Sequence, residues 1–197
     1  PSYNRSDVEE LENFLLEQRH LKKLSMSRFR FNSSYSTNRL ENVQFQLEEL
    51  KLKDIIWDIT AHARLFLKTQ KNLKHFKLSK FQRWITPREQ NFQLFNDLMK
   101  HILISNTHME SVAFNERFSF SYLKNTEFLV GECNKNVKKL TYARCMSSPN
   151  SELLMAFTRL FPNLTSLDIT CINSDAVNIL QAVQSFPGLV EISITSN

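Results

Sequence analysis

The chain has 197 residues, 42% of them hydrophobic, and its 25 basic side chains exceed 20 acidic ones to give a formal net charge of +5. This composition is typical of a folded protein and excludes an intrinsically disordered one. No apolar run approaches the roughly 18 residues of a membrane-spanning helix, and no signal peptide is recognisable, so the sequence predicts no membrane partner.

A phrase of the form apolar-x-x-apolar-x-apolar recurs seven times. Its first positions are Leu21, Leu47, Leu73, Met109, Val137, Leu164 and Leu189. The steps between them are 26, 26, 36, 28, 27 and 25 residues, and five of the six lie within the roughly 20–29 residue period of leucine-rich repeats. One such strand cannot bury its apolar face alone, so copies must stack. The sequence therefore predicts an α/β leucine-rich-repeat solenoid of about seven repeats, with a curved parallel sheet on the concave side and helices on the convex side.

Amphipathic helices are predicted between the phrases. The first has Val8, Leu11, Phe14 and Leu15 on one face, with Ser6 as its candidate N-cap. Others are predicted over 60–70, over 92–103, after Ser151 and after Ser174, and the apolar spacing is strongest over 92–103.

Two segments interrupt the repeat. Irregular insertions are expected near 30–46 and near 80–91, and the alternating aromatic residues of 117–131 receive no assignment. We expect residues 1–197 to be a single leucine-rich-repeat domain from a longer protein, because the chain opens at Pro1 and ends directly after a repeat phrase.

Strand side chains alternate, so the positions between the apolar ones are predicted to face outward from the concave sheet. Basic side chains cluster there in the first three phrases. The predicted partner-binding residues are Lys23, Lys51, Lys53, His75, Lys77, Lys80, Lys139 and Arg144. They would meet an acidic segment of a protein partner, or would only keep an exposed sheet soluble, because Glu49 and Asp54 interrupt the patch. Trp84 is either a binding anchor on the rim or packs beneath its own insertion.

The sequence predicts no enzyme. Gly131 and Gly188 are the only glycines, which excludes G-x-G-x-x-G and P-loop phosphate sites. The five histidines form no H-E-x-x-H and no metal-ligand spacing with cysteine, so no metal, cofactor or catalytic residue is predicted. Cys133, Cys145 and Cys171 imply no disulfide framework. Reduced thiols indicate a cytoplasmic or nuclear protein, and Cys145 and Cys171 are predicted to be small buried apolar residues.

The sixth phrase carries a family resemblance. Leu164-x-x-Leu167-x-Ile169 leads into Thr170-Cys171-Ile172-Asn173-Ser174-Asp175, which resembles the cysteine-containing leucine-rich repeat, L-x-x-L-x-L-x-x-C followed by I-T-D and a helix. Cys145 occupies the cysteine position of the preceding repeat, whereas Cys171 sits one place early and Ser174 stands where Thr is preferred.

These repeats resemble those of F-box/leucine-rich-repeat proteins, the substrate receptors of Skp1–cullin–F-box ubiquitin ligases. The resemblance implies a substrate-recognition domain that needs no catalytic residues. Skp1 would bind through an F-box outside this chain, because none is recognisable here.

Two other functions stay open. The net positive charge and the lysines are compatible with a nucleic-acid-associated module, as in the leucine-rich repeats of messenger-RNA export factors, although exposed aromatic residues between the lysines are lacking. A structural scaffold within a larger assembly fits the sequence equally.

Overall fold

The computed structural model describes residues 5–28, 30–31, 40, 42–54, 56–57, 66–79, 89–115, 131–143, 151–171 and 176–196. Within these ranges the helices are α1 (Arg5–Glu17), α2 (Glu89–Ser105), α3 (Ser151–Leu160) and α4 (Ala176–Val183). Residues 66–69 form one further helical turn.

Parallel strands make up the rest of the regular structure. They are β1 (Lys23–Ser27), β2 (Arg30–Phe31), β3 (Glu49–Lys53), β4 (Ile56–Trp57), β5 (His75–Ser79), β6 (Ser111–Asn115), β7 (Lys139–Ala143), β8 (Ser166–Cys171) and β9 (Glu191–Ser196). Seven of them form one sheet in the order β1-β3-β5-β6-β7-β8-β9, and β2 pairs with β4 in a second, two-stranded sheet. This confirms the predicted α/β class and parallel sheet.

Each repeated phrase supplies one strand of the seven-stranded sheet, and equal phrase positions lie opposite each other. Lys23 is opposite Glu49, Glu49 is opposite His75, and the same register continues through every strand pair to Glu191. A slip by one residue would turn every apolar side chain to the other face, so burial fixes this register.

The core lies on the face of the sheet that carries the fourth and sixth phrase positions. In β3 these are Leu50 and Leu52, which are at most 1% exposed, and burial of each such leucine contributes about 1.5–3 kcal/mol. The buried residues of α2 and α3 join the same hydrophobic core. Phe157 of α3 stacks on Phe114 of β6 with ring centroids 6.3 Å apart. The helices therefore cover this face from β3 to β8 and leave the other one polar, whereas on β9 Ile192 and Ile194 are 43% and 38% exposed.

The helix predictions are largely confirmed where the structure describes them. Leu98 and Ile102 of α2 are buried as expected, and Pro162 follows the end of α3. Phe14 is an error, because it is 53% exposed whereas Leu15 is buried. One residue advances 100° around a helix, so Phe14 falls outside a stripe centred on Leu15. Ser6 lies within the first turn of α1, which begins at Arg5.

A left-handed backbone conformation recurs after the first two phrases. Arg28 has φ 56° and Asp54 has φ 54°, and both lie seven residues after the first position of their phrase. The Arg28 N–H donates to the Lys53 carbonyl and the Asp54 N–H to the Ser79 carbonyl, both at 2.9 Å. Non-glycine residues adopt this conformation at a cost of about 1–2 kcal/mol. Its recurrence at the same phrase position shows that the backbone after β1 and the backbone after β3 share this conformation as well as the strand register.

Several predictions fall on residues outside the described ranges. They concern the insertion at 80–88, residues 32–39 of the first insertion, residues 60–65 of one predicted helix, residues 117–130 and Cys145.

Candidate functional site

The face of the seven-stranded sheet opposite the core is lined by polar and small side chains. We define the polar sheet face by the third and fifth phrase positions: Lys23, Ser25, Glu49, Lys51, His75, Lys77, Ser111, Ala113, Lys139, Thr141, Ser166, Asp168, Glu191 and Ser193. Because strand side chains alternate, all of these point away from the helices. All are at least partly accessible to solvent.

At the β1–β3 end of this face, one carboxylate serves two lysines. Glu49 forms ion pairs with Lys23, at 3.5 Å, and with Lys51. The hydrogen bond from Lys51 lowers the pKa of Glu49 against the opposing effect of partial burial, and Lys23 lowers it further. This corner of the face therefore carries less positive charge than its lysines alone would give.

A second set of ion pairs runs along the second phrase positions. Glu48 contacts Lys22 at 3.2 Å and Lys74 at 2.9 Å. The hydrogen bond from Lys74, followed by that from Lys22, lowers the pKa of Glu48, and the same bond to Glu48 raises the pKa of Lys74. These bridges join β1, β3 and β5 at their starts, although exposed ion pairs of this kind contribute little to stability because solvent screens them. The alternation of charge at the second positions was visible in the sequence but was not used in the prediction.

The middle of the face, on β5 and β6, is held by side-chain hydrogen bonds rather than by ion pairs between the described residues. His75 Nδ1 and Ser111 Oγ are 2.9 Å apart. With its amide oxygen turned toward β5, Asn115 accepts a hydrogen bond from Lys77 Nζ at 3.2 Å. Ala113 lies opposite Lys77 in the register and carries the smallest side chain of the face. The short side chain of Ala113 therefore lies beside the cationic side chain of Lys77.

The β8–β9 end of the face is acidic. Asp168 lies opposite Thr141 on one side and Ser193 on the other, and Ser166 Oγ donates to Glu191 Oε2 at 2.9 Å. Within the part of the chain that the structure describes, no ion pair involves Asp168, Glu191 or Lys139. Charges at this end are therefore available to a partner.

The structure brings most of the predicted partner-binding residues onto one surface. Lys23, Lys51, His75 and Lys77 occupy adjacent strands, and exposed Lys53 extends the surface at the seventh position of β3. Exposed Lys139 lies two strands beyond His75. Lys80, Trp84 and Arg144 lie outside the described residues. The binding role of this surface stays a prediction.

A buried amide ladder, formed by Gln70, Asn106 and Asn134, was missed from sequence. The three residues are 0%, 0% and 3% exposed. Gln70 Oε1 accepts the Leu47 N–H at 2.8 Å, and Asn106 Oδ1 accepts the Leu73 N–H at 3.0 Å.

The ladder also links its own members. Asn134 Nδ2 donates to the Asn106 carbonyl and to the Leu103 carbonyl, each at 2.9 Å. Each amide stands three residues before a phrase, where the first two units have Gln18 and Gln44. That column of amides is the signal that could have revealed the ladder, which holds the starts of neighbouring strands together and so orders the polar sheet face.

Other reactive groups do not join the face. His101 of α2 is partly buried, which lowers its pKa, and its Nε2 lies 3.2 Å from the Lys68 carbonyl. Cys133 is exposed and reduced, whereas the side chains of Cys145 and Cys171 are outside the description. Among the described residues, no group of three or more His, Cys, Asp or Glu side chains could hold a metal ion. The helices in the described ranges are too short or too polar to cross a membrane.

Fold and site together define a class of α/β protein: one parallel sheet with helices on one face and an ordered array of charged side chains on the other. A scan of family models finds no match to the chain. A sequence search of curated proteins finds none either.

Proposed function

We propose that this chain is a protein–protein interaction module of the leucine-rich-repeat type, and that its polar sheet face binds the partner. The carrying observation is the register: equal phrase positions lie opposite each other in all seven strands. Such a register supports stacking of equivalent strand-and-helix units, with a curved sheet on the concave side. It also arranges charged side chains in rows at a fixed spacing, as the recognition of an extended partner requires.

The charges on this face support binding over a role in solubility alone. Polar side chains that only keep a sheet soluble need no fixed neighbours. On this face, His75 and Glu191 are each held by a serine of the adjacent strand. Preorganised side chains lose less entropy on binding and so favour affinity.

We further propose that the module is the substrate-recognition domain of an F-box-type adaptor of a Skp1–cullin ubiquitin ligase. The support is the resemblance of the phrase at Leu164, with Cys171 after it, to cysteine-containing leucine-rich repeats. Skp1 would bind an F-box outside this chain, and other subunits would perform ubiquitin transfer. The chain itself would need neither cofactor nor catalytic residue and would act in the cytoplasm or nucleus.

The nucleic-acid alternative has less support from the described charges. Glu49 pairs with Lys23 and Lys51, and Glu48 pairs with Lys22 and Lys74, so several lysines already have a carboxylate beside them. Binding to phosphates requires cations that release counterions. A scaffold role would use the same polar face and differs from a substrate receptor only in its partners.

Affinity purification of the full-length protein from cells that express it, followed by quantitative mass spectrometry, tests both parts of the proposal. The face variant is Lys77→Glu/Lys139→Glu, and the matched control is Lys71→Glu/Lys135→Glu, which reverses two exposed lysines outside the sheet face. We expect Skp1 and a cullin with every form. We expect the face variant to lose substrate proteins at least about tenfold, because like charges placed against a partner cost several kcal/mol.

The two parts of the proposal fail separately. Recovery of neither Skp1 nor a cullin would overturn the ligase assignment, and recovery of RNA-export components instead would favour the nucleic-acid alternative. Equal recovery of substrate proteins by the face variant and the wild type would overturn the proposed surface.

A further inference from the structure

Charge on the polar sheet face is sorted by strand. The cations Lys77 and Lys139 lie on β5 and β7, and the anions Asp168 and Glu191 lie on β8 and β9. The side chains between them are small or neutral. Part of the polar sheet face is therefore cationic and the adjoining part anionic.

The register gives the distances between these charges. The fifth-position row runs Lys77, Ala113, Thr141, Asp168, so three strand spacings of about 4.8 Å separate the cation from the anion by about 14 Å. The third-position row has Lys139 and Glu191 two spacings apart, with Ser166 between them, which is about 10 Å.

These separations leave the charges unable to satisfy one another. They exceed the screening length of about 8 Å at physiological salt, and within the described ranges neither Asp168 nor Glu191 forms an ion pair. The β1–β3 corner is different, because Glu49 lies beside Lys23 and Lys51 and pairs with both. The strands from β5 to β9 therefore present two charges of opposite sign to whatever lies across them.

We propose that β5–β9 bind an extended, dipolar peptide segment that crosses the strands, with acidic residues over Lys77 and Lys139 and basic residues over Asp168 and Glu191. An extended chain advances about 3.3 Å per residue, so 10–14 Å places the two charges about three to four residues apart. This inference rests on the proposed function and specifies the chemistry of the partner.

The same arrangement disfavours segments of a single sign. A nucleic acid or a wholly acidic peptide would bring negative charge against Asp168 and Glu191, and a wholly basic peptide would meet Lys77 and Lys139. Specificity of this kind comes from repulsion of wrong partners as well as attraction of the right one.

Fluorescence anisotropy with the 197-residue chain tests the inference. The probes are four labelled peptides of equal length: two glutamates and two lysines separated by two small residues, glutamates at all four charged places, lysines at all four, and a neutral peptide. We expect the dipolar peptide to bind at least tenfold more tightly than either single-sign peptide.

Charge-swap variants predict a change of preference. Asp168→Lys/Glu191→Lys should prefer the all-glutamate peptide, and Lys77→Glu/Lys139→Glu should prefer the all-lysine peptide. Lys71→Glu/Lys135→Glu should retain the wild-type order, and circular dichroism checks that each variant is folded.

The outcomes separate this inference from the proposed function. Equal binding of the dipolar and all-glutamate peptides would overturn the dipolar partner and leave a protein-binding face in place. A dipolar preference that none of the variants alters would place binding elsewhere and overturn both. Binding of no peptide would overturn the linear segment, whereas loss of substrate proteins from the purified face variant would still support the proposed function.

Discussion

Asn106→Leu is expected to lower the free energy of unfolding by about 2–4 kcal/mol. Asn106 is fully buried, its Oδ1 accepts the Leu73 N–H at 3.0 Å, and its Nδ2 donates to the Ile102 carbonyl at 3.0 Å. Leucine has the same number and branching of side-chain heavy atoms but leaves both backbone groups without these bonds. The buried Leu73 N–H is left unsatisfied, which costs about 1–3 kcal/mol, and loss of the side-chain bond to the Ile102 carbonyl adds about 1 kcal/mol.

Urea unfolding followed by circular dichroism measures this loss. The matched control is Asn72→Leu, since Asn72 is exposed and lies next to the Leu73 amide in the sequence. We expect the control to change stability by no more than about 0.5 kcal/mol. A loss below about 1 kcal/mol in Asn106→Leu would show that the buried amide ladder does not hold neighbouring units together.

Phe157→Ala is expected to cost about 3–5 kcal/mol. Phe157 is 1% exposed and stacks between Phe114 of β6, at 6.3 Å, and Phe161, at 5.9 Å. Removal of the ring leaves a cavity between α3 and the sheet and deprives both neighbours of their contact. The surrounding side chains of a close-packed core relax only partly into such a cavity.

Met155→Ala on the same helix is the comparison for this second variant. Met155 is 38% exposed, so its truncation should change the urea midpoint little. This variant therefore controls for any general effect of a substitution in α3. Comparable losses in the two variants would mean that α3 does not cover the sheet through Phe157.

The strands could be predicted from sequence because burial dictates their pattern. Leu50 and Leu52 alternate with exposed Lys51 and Lys53, and an alternating pattern of this kind fits a sheet with one covered face. The strand register agrees with the sequence pattern as well, because it places equal phrase positions opposite each other. The residues on the polar face were therefore identified before their contacts were known.

The interactions within the face could not be predicted in the same way. Whether Glu49 weakens the basic patch depends on which lysine heads reach it, and long side chains on a sheet have several possible neighbours. The structure shows that Glu49 forms ion pairs with both Lys23 and Lys51. The positive charge of this corner is therefore partly offset, and the charges proposed to bind a partner lie on β5–β9.

The buried amides and Phe14 were misjudged for opposite reasons. Gln70 and Asn106 are polar residues whose burial depends on backbone groups 23 and 33 residues away in the sequence. The apolar spacing within one helix or strand gives no sign of this burial, and only alignment of the phrases reveals the column of amides. Phe14 is apolar but lies outside the buried stripe of α1, and the stripe's exact centre depends on what the helix packs against.

Photo-crosslinking in cells is the most direct test of whether the polar sheet face binds a partner protein. A photoreactive amino acid would replace Ala113 at the centre of this face or, in a second form, Met155 on the exposed side of α3. We expect discrete protein adducts from position 113 and none from position 155, with the adducts lost in Lys77→Glu/Lys139→Glu. Adducts from position 155 and none from position 113 would contradict this expectation and place the binding surface on the helices.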